Sequence, residues 1–401
     1  MKHIIIKNIG PITEADITLN RLNVIIGPQS LGKSTVLKLA SYCTWVEKRI
    51  ELQQSPEFFI FDNNFIYSLM VFHKMKDYFR EESCIVYESD YMKFRYEHAM
   101  RTFSFEWKDA RWNYRRTKIT YIPAERNLVA VIPNWFEVSI ERNNIYNFMT
   151  EWETARKATT EQLDILNLDI AYQYEPTNKR DIVRIQNNDI LNITDISSGL
   201  QSLIPLYVHL NYLCNGLYSV ENASKIAGDW ENEELLQIIY DEMFEKKGRT
   251  KAVHSIEREN GNGEMEKVMV RYRATIGPSS LLFSYPSDAT ECEAIYNQYL
   301  MTDHCDIFLE EPENNLFPPT QKRLMDWLYN KTKGDHQNTL FIATHSPYIL
   351  ASLLEKQSNV TMFYNVEQDG KVFVKTASET DMQAIFDYGV DAFFNIENLE
   401  G

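Results

Sequence analysis

The sequence predicts an α/β fold: a mixed sheet with an antiparallel N-terminal part, covered by helices. One observation is the apolar run Leu22–Ile26, which leads into a glycine-rich loop and then into a stretch whose apolar side chains have helical spacing. A second is the alternation of strand, helix, strand and helix over residues 306–355, which is typical of a parallel sheet. A third is the N-terminus, where residues 3–26 are predicted to form three short strands.

Composition limits the classes of protein to which the chain can belong. Its 401 residues are 44% hydrophobic and carry a formal net charge of −16, so we expect a globular protein that repels nucleic acid and acidic membranes except at a local basic patch. The five cysteines form no C-x-x-C pair and suit reduced thiols. No signal peptide or run of 18 apolar residues is seen, so we expect a cytoplasmic protein without membrane contact.

The other elements follow in chain order. They are a first helix to about residue 51, antiparallel strands over 84–107, a strand over 118–122, a helix over 231–244 and a terminal hairpin turning at Asp369-Gly370. Residues 151–168 lack Gly and Pro, and we predict one helix there. We expect a single domain, 1–401, with a first insertion at 46–118, a short helical arm at 136–190, an α+β second insertion at 216–300 and a final part at 300–401.

The most specific motif lies at residues 27–34. It fits G-x-x-x-x-G-K-[ST], whose backbone N–H groups surround phosphate oxygens, whose lysine offsets phosphate charge and whose hydroxyl binds Mg²⁺. The N-terminus of the following helix would face the anion. The candidate nucleotide-binding residues are Gly27, Pro28, Gln29, Ser30, Leu31, Gly32, Lys33, Ser34 and Thr35, with Lys33 also a catalytic candidate and Ser34 a metal ligand.

Two later strands end in residues that carry chemistry. One ends in Glu310 and Glu311, and at the edge of a parallel sheet the first acid can hold Mg²⁺ while the second polarises water. The next strand is followed by His345, whose imidazole would reach the terminal phosphate. Paired acids are also common at helix starts, and a lone histidine is usually structural. With the glycine loop upstream, we expect Glu310 to bind metal and Glu311 and His345 to be catalytic.

Ser197, Ser198 and Gly199 precede an apolar stretch that is predicted to be helical. Such a start can be an ordinary helix cap. A second helix N-terminus that binds anions is also what a nucleotide site shared by two subunits requires. We assign these three residues to nucleotide binding and keep the ordinary cap as the alternative.

The order of these motifs resembles that of SMC/ABC-type ATPase heads. The chain is most similar to compact AAA-labelled ATPases of bacterial anti-phage defence operons, relatives of the ATPase half of OLD nucleases, with Ile-Gly-Pro-Ile at residues 9–12 and Thr-His-Ser-Pro at residues 344–347. The resemblance implies a P-loop NTPase of the ABC/SMC-head type. Glu310 stands where transporters have Asp, and Ser198 and Leu200 stand where they have Gly and Gln, which leaves the hydrolysis rate open.

The resemblance also implies the roles of the motifs. Two or more copies would enclose ATP and Mg²⁺, and residues 197–199 of one copy would face Lys33, Ser34 and Glu310 of another. Glu311 would orient water, and His345 would be the switch histidine. Residues 314–318 would lie beside the dimer seam, and residues 121–127 match a family element of undefined role.

Two functional hypotheses remain. The first is an ATPase that forms ATP-dependent homo-oligomers and controls a separately encoded effector, such as a nuclease, in anti-phage defence. We expect the effector elsewhere because the 56 residues after His345 are too few for a Toprim nuclease domain. The alternative is a DNA-repair or genome-maintenance head that clamps DNA directly. Its candidate contact is the basic aromatic stretch 111–118, for which a solvated strand edge is the simpler interpretation.

Overall fold

A computed structural model describes all residues except 133–134, 138, 187–188, 219–228, 335, 357–359, 397–398 and 400–401. Its strands are β1 (Lys2–Ile9), β2 (Ile12–Leu19), β3 (Leu22–Ile26), β4 (Phe79–Glu88), β5 (Met92–Glu97), β6 (Thr102–Trp107), β7 (Thr117–Ile122), β8 (Leu163–Asp164), β9 (Ala171–Glu175), β10 (Arg180–Arg184), β11 (Ile190–Asn192), β12 (His254–Glu259), β13 (Met265–Val270), β14 (Tyr272–Ile276), β15 (Ser279–Phe283), β16 (His304–Glu310), β17 (Thr339–Ala343), β18 (Val360–Gln368) and β19 (Lys371–Thr376).

Helices connect and cover these strands. They are α1 (Lys33–Gln53), α2 (Glu57–Ile60), α3 (Asn64–His73), α4 (Leu128–Val131), α5 (Asn144–Ala158), α6 (Ser198–Cys214), α7 (Asp229–Tyr240), α8 (Pro286–Leu300), α9 (Pro318–Thr332), α10 (Pro347–Leu354) and α11 (Glu379–Tyr388). Within the described part of the chain, no helix is both long and apolar enough to cross a membrane.

The largest sheet is mixed, as predicted. Its strand order is β6-β5-β4-β1-β2-β19-β18-β3-β17-β16-β7. The strands from β18 to β7 pair in parallel, whereas those from β6 to β2 pair antiparallel. The three N-terminal strands, the parallel centre and the terminal hairpin are therefore confirmed. Because the parallel strands share one direction, their carboxyl ends meet at one edge of the sheet.

Strand β3 shows why the central strands are almost wholly apolar. Leu22, Val24 and Ile26 pack into a core with α5, α6, α9 and α10, while Ile25 points to the opposite core, which contains α1. Successive side chains in a strand face opposite sides of a sheet, so a strand covered on both sides needs apolar residues at nearly every position.

Helix α1 lies inside a curl of the sheet. Lys2 on β1 forms an ion pair of 2.6 Å with Asp306 on β16, although five strands separate β1 from β16 in the sheet order. The sheet must therefore bend round, and α1 is buried on nearly all sides, as its apolar residues Val36, Leu39 and Val46 show. This enclosure fixes the start of α1 at the sheet edge where the parallel strands end.

The predicted helix over 151–168 was wrong in its second half. Helix α5 begins earlier and ends at Ala158, where Thr159 and Thr160 follow, two β-branched residues with low helix propensity. The chain then forms a four-stranded antiparallel sheet of β8 to β11. The stretch predicted as a short helical arm, 136–190, is therefore one helix followed by strands; its residues 138 and 187–188 lie outside the described part.

The two predicted insertions differ in how they are built. Strand β4 of the first, 46–118, pairs with β1, so its strands extend the main sheet. The described residues of the second, 216–300, form α7, two hairpins and α8; α7, α8 and the β14–β15 hairpin surround a small core that includes Leu236, Phe244 and Phe283, whereas β12 is exposed. Residues 219–228 of that insertion lie outside the description.

Candidate nucleotide-binding site

The phosphate-loop motif joins β3 to α1, the context that it requires. Gly27 has φ 150°, and a Cβ there would lie 2.9 Å from the Cβ of Asn365. Gly32 has φ 90° and precedes α1, where a Cβ would lie 2.5 Å from Ile12 Cδ1. Both positions therefore require glycine. No side chain caps the first turn of α1, so its N–H groups are left to donate hydrogen bonds to an anion.

Lys33 holds its ammonium group inside the curve of this loop. The side chain is buried, and Nζ donates hydrogen bonds to the carbonyl oxygens of Gly27 (2.9 Å) and Pro28 (2.8 Å). Burial lowers the pKa of Lys33 to about 8, although Glu311 and Glu313 oppose this shift. Lys33 therefore stays mostly protonated at pH 7 and loses its proton at a lower pH than an exposed lysine, and a phosphate in the loop would favour the charged form.

The sheet register brings the other predicted residues to the same edge. Glu310 at the end of β16 pairs with Ala343 of β17, and Ala343 pairs with Ile25 of β3. The three strands therefore end side by side, at the phosphate loop, at Glu311 and at His345. The strand register thus brings segments that lie far apart in the sequence to the same edge of the sheet.

Glu311 and His345 face each other across neighbouring strand ends. Nε2 of His345 is 3.9 Å from Oε1 of Glu311, and both side chains are about 40% exposed (39% and 41%). Burial and the charge of Lys33 lower the pKa of His345, so its ring is neutral at pH 7. A carboxylate beside a neutral imidazole can accept a proton from water and orient it.

Arg126 gives the element at residues 121–127 a role that the sequence did not reveal. Its guanidinium is buried and donates to the carbonyl oxygens of Glu310 (2.9 Å) and Glu311 (2.7 Å). Glu311 has φ 41°, an unfavourable conformation for a residue with a Cβ. The Glu311 N–H also donates to the carbonyl oxygen of Ala343 (2.8 Å). Arg126 therefore holds the strained backbone that carries both acids.

Glu313 is a second residue that sequence reasoning left without a role. Its carboxylate accepts hydrogen bonds from Thr344 Oγ1 (2.8 Å) and the His345 N–H (2.6 Å). Burial raises the pKa of Glu313, while these bonds oppose the rise. The acid thus fixes the backbone on which His345 stands. In the sequence, the feature that could have pointed to Glu313 is its position two residues after Glu311.

Asn365, on β18, is a third residue outside the predictions. It is fully buried, and its Nδ2 donates to the carbonyl oxygen of Leu31 in the phosphate loop. Its Oδ1 is buried without a hydrogen-bond partner among the described residues. Asn365 therefore ties the loop to β18 from the side opposite β17. The sequence offered no motif that marks it.

The Ser-Ser-Gly segment lies at the start of α6, next to the loop that follows the two acids. Ser197 precedes α6, and no side chain caps that helix; both serines are exposed. No hydrogen bond between described residues joins residues 197–199 to residues 27–34. Helix α6 is instead bonded to the loop that follows Glu311: Asn315 Nδ2 in that loop donates to Ser202 Oγ on α6 (2.9 Å). The exposed N-terminus of α6 is thus available to a ligand from outside the subunit.

The donor atoms suit Mg²⁺ held jointly by protein and phosphate. Ser34 offers a hydroxyl and Glu310 a buried carboxylate, both oxygen ligands of the kind that Mg²⁺ prefers. Among the described residues there is no group of three or more His, Cys, Asp or Glu side chains that could bind a metal unaided. Mg²⁺ commonly uses one or two protein oxygens together with phosphates, which these two residues would supply.

The sequence matches no protein-family model and no curated relative. Its structure is similar to those of SMC head domains. An SMC head bound to the C-terminal winged-helix domain of ScpA shares 9% identity at a TM-score of 0.46, with 95% of this chain and 98% of that chain covered. The head from Thermotoga maritima shares 10% (TM-score 0.42; 94% and 98% covered). A head with an extended coiled coil, bound to the C-terminal domain of ScpA from Pyrococcus furiosus, shares 10% (0.42; 96% and 99%).

Proposed function

We propose that the chain binds ATP with Mg²⁺ and hydrolyses it at a site that a second copy completes. The observation that carries the proposal is the register of β3, β17 and β16, which places Lys33, Glu310 and His345 at one sheet edge. Ser34 and Glu310 would hold Mg²⁺, which neutralises charge on the phosphates. Glu311 accepts a proton from the attacking water, and Lys33 binds phosphate oxygens.

The exposure of Ser197 and Ser198 supports the shared site. The N-terminus of α6 carries unbonded serine hydroxyls and a positive helix dipole, and it is exposed. In the proposed dimer it would meet the phosphates held by Lys33 of the other copy. ATP would then join two copies, and its hydrolysis would release them.

Glu311→Gln tests this role. The variant should bind ATP as the wild type does, lose about 10²- to 10⁴-fold in hydrolysis rate and remain dimeric with ATP. Phosphate release and sedimentation velocity measure the two effects. Glu106→Gln, which removes an exposed carboxylate on the edge strand β6, is the control and should change neither. Normal hydrolysis by Glu311→Gln would remove Glu311 from the mechanism.

We propose further that the nucleotide state of the oligomer controls a separately encoded effector, such as a nuclease, in anti-phage defence. The support is the resemblance of the motifs to defence ATPases. Purification of the chain together with its neighbouring gene products, with and without ATP, tests the proposal. An effector that binds in only one nucleotide state is the expected result, and no nucleotide-dependent partner would contradict it.

The alternative of direct DNA clamping finds little support in the basic aromatic stretch 111–118. Lys118 is paired with Glu151, and Arg115 with Asp303. The Arg111 guanidinium lies 3.9 Å from the Trp107 ring centroid. These cations are engaged by neighbouring side chains, while β7 is an edge strand and Arg115 stays 63% exposed, so a solvated strand edge remains the simpler interpretation. DNA-stimulated, salt-sensitive ATPase activity would favour the alternative.

A further inference from the structure

A cavity of about 930 Å³ lies between α1, α3, β7, α5 and α7. Its volume is in the range of pockets that bind small molecules. The residues of the proposed nucleotide site, 27–35, 310–311 and 345, do not line it. The cavity is thus a separate feature of the molecule, and what it binds does not depend on the proposed ATPase function.

One end of the cavity is basic. Lys48 of α1 donates to the carbonyl oxygen of Thr117 (2.6 Å), and no carboxylate of a described residue lies within 4.0 Å of its Nζ. Burial, together with the nearby charges of Arg116 and Lys118, lowers the pKa of Lys48 to about 7. Lys118 is neutralised by Glu151. Crowded, buried cations of this kind gain free energy when an anion binds.

Acidic side chains also line the cavity. Besides Glu151, they are Glu57 and Glu234, and both of these are exposed. Exposed carboxylates are solvated by water and screened, so they weaken the attraction for an anion less than buried ones would.

The other end is aromatic and has unused hydrogen-bonding groups. His73 is 1% exposed, and neither ring nitrogen has a hydrogen-bond partner among the described residues. The Tyr121 hydroxyl is buried beside Glu310, and burial together with that charge raises the pKa of Tyr121 well above its usual value; the rings of Tyr121 and His73 lie 4.9 Å apart. Phe72 packs edge-on against His73 at 4.8 Å. Buried groups left unpaired are costly, and a ligand would satisfy them.

The basic and aromatic ends of the cavity are about as far apart as the two ends of a small molecule. Tyr42, whose ring lies 6.5 Å from that of His73, belongs to the aromatic end, and Lys48 belongs to the basic end. Both are on α1, six residues apart, which corresponds to about 9 Å.

We propose that this cavity binds a small organic anion that carries a polar-substituted aromatic ring. The anionic group lies beside Lys48 and Arg116, and the ring lies against His73 and Phe72. Polar atoms on the ring pair with the ring nitrogens of His73.

Phenyl phosphate and 4-hydroxyphenyl phosphate are suitable probes, measured by calorimetry against inorganic phosphate alone. One molecule of either probe should bind per chain, 4-hydroxyphenyl phosphate more tightly and inorganic phosphate more weakly. Lys48→Met should weaken both probes at least about tenfold, the worth of a charge-assisted hydrogen bond. His73→Phe keeps the ring and should remove the preference for the hydroxyl group. Lys76→Met, at an exposed lysine outside the cavity, is the control and should change nothing.

Thermal melting of each variant verifies that it is folded. Lys33→Met should leave probe binding unchanged, which separates this cavity from the phosphate loop. Absence of saturable binding, full affinity in Lys48→Met, or loss of binding in Lys33→Met would each overturn the proposal. None of these results bears on ATP hydrolysis.

Discussion

Arg126 holds the backbone of the two acids in the proposed site. A single buried guanidinium bonds the carbonyl oxygens of Glu310 and Glu311, and no other described side chain bonds both. Burial lowers the pKa of Arg126 to about 10, and the surrounding glutamates oppose this shift, so the group stays charged at neutral pH. Because its bonds go to the backbone, Arg126 would act on the proposed reaction by positioning Glu311.

Arg126→Lys tests that role. Lysine cannot present the paired donors of a guanidinium, so the backbone at Glu311 should relax and the hydrolysis rate should fall about tenfold or more. ATP affinity should change little, since Lys33 is untouched. Steady-state kinetics with a separate binding measurement distinguish kcat from affinity. Arg323→Lys, at an exposed arginine that bonds one carbonyl oxygen, should have no effect. An unchanged kcat in Arg126→Lys would refute the positioning role.

The pKa of Lys33 predicts how ATP affinity depends on pH. Burial lowers the pKa to about 8, so the ammonium loses its proton as pH rises through 8, and phosphate binding needs that proton. The affinity for ATP should therefore be about tenfold weaker at pH 9 than at pH 7. Calorimetry at the two pH values measures it. In Lys33→Met, binding should be weak and independent of pH, and equal wild-type affinities at pH 7 and 9 would contradict the assignment.

Among the elements, helix α1 inside the curved sheet contains a buried carboxyl group, that of Glu51, which lowers the stability of the folded protein as pH rises. Glu51 is fully buried on it, and burial together with the neighbouring Glu47 raises its pKa well above the usual 4.5. The folded protein therefore keeps a proton that the unfolded chain releases. The stability that this proton contributes is complete below pH 4.5 and is lost as pH rises through the raised pKa.

Glu51→Gln removes this cost and preserves the shape of the side chain. The variant should be more stable than the wild type at pH 8, on the order of 1 kcal/mol, and the difference should shrink toward pH 4. Denaturant unfolding at several pH values measures it. Glu82→Gln, at an exposed carboxylate on β4, is the control. Lower stability of Glu51→Gln at pH 8 would mean that the charged carboxylate is needed.

The elements show what sequence periodicity could predict. The strands β3, β16 and β17 were recognisable because both of their faces are buried and their ends carry motifs. Pairing between distant segments, such as β4 with β1, leaves no local signal and was not predicted. The strands after Ala158 were missed because a run without Gly and Pro was taken as one helix.

The same limit applies to the site. The glycine loop, Glu310, Glu311 and His345 were found because each ends a predicted strand, and the register confirms that they meet. Arg126 and Glu313 act through hydrogen bonds to the backbone of other segments. Such contacts depend on tertiary packing, so they cannot be predicted from single residues in the sequence.

For the whole molecule, the decisive feature is that one copy brings the phosphate loop, the acids and the histidine to one sheet edge, whereas the exposed Ser197 and Ser198 make no hydrogen bond to that loop within the described part of the chain. The proposed site therefore has two halves that face different copies. If so, two different defects can complement each other. A mixed dimer of Lys33→Ala and Ser197→Arg has one site with both defects and one site with neither.

Mixing these two variants is the most direct test of the shared site. Ser197 is exposed and its side chain makes no cap hydrogen bond, so Ser197→Arg should fold. Each variant alone should lack ATPase activity, and the mixture should recover up to about a quarter of the wild-type rate, because random pairing gives half mixed dimers with one intact site each. If the mixture stays as inactive as its components, while both variants are folded, the site is not shared between copies.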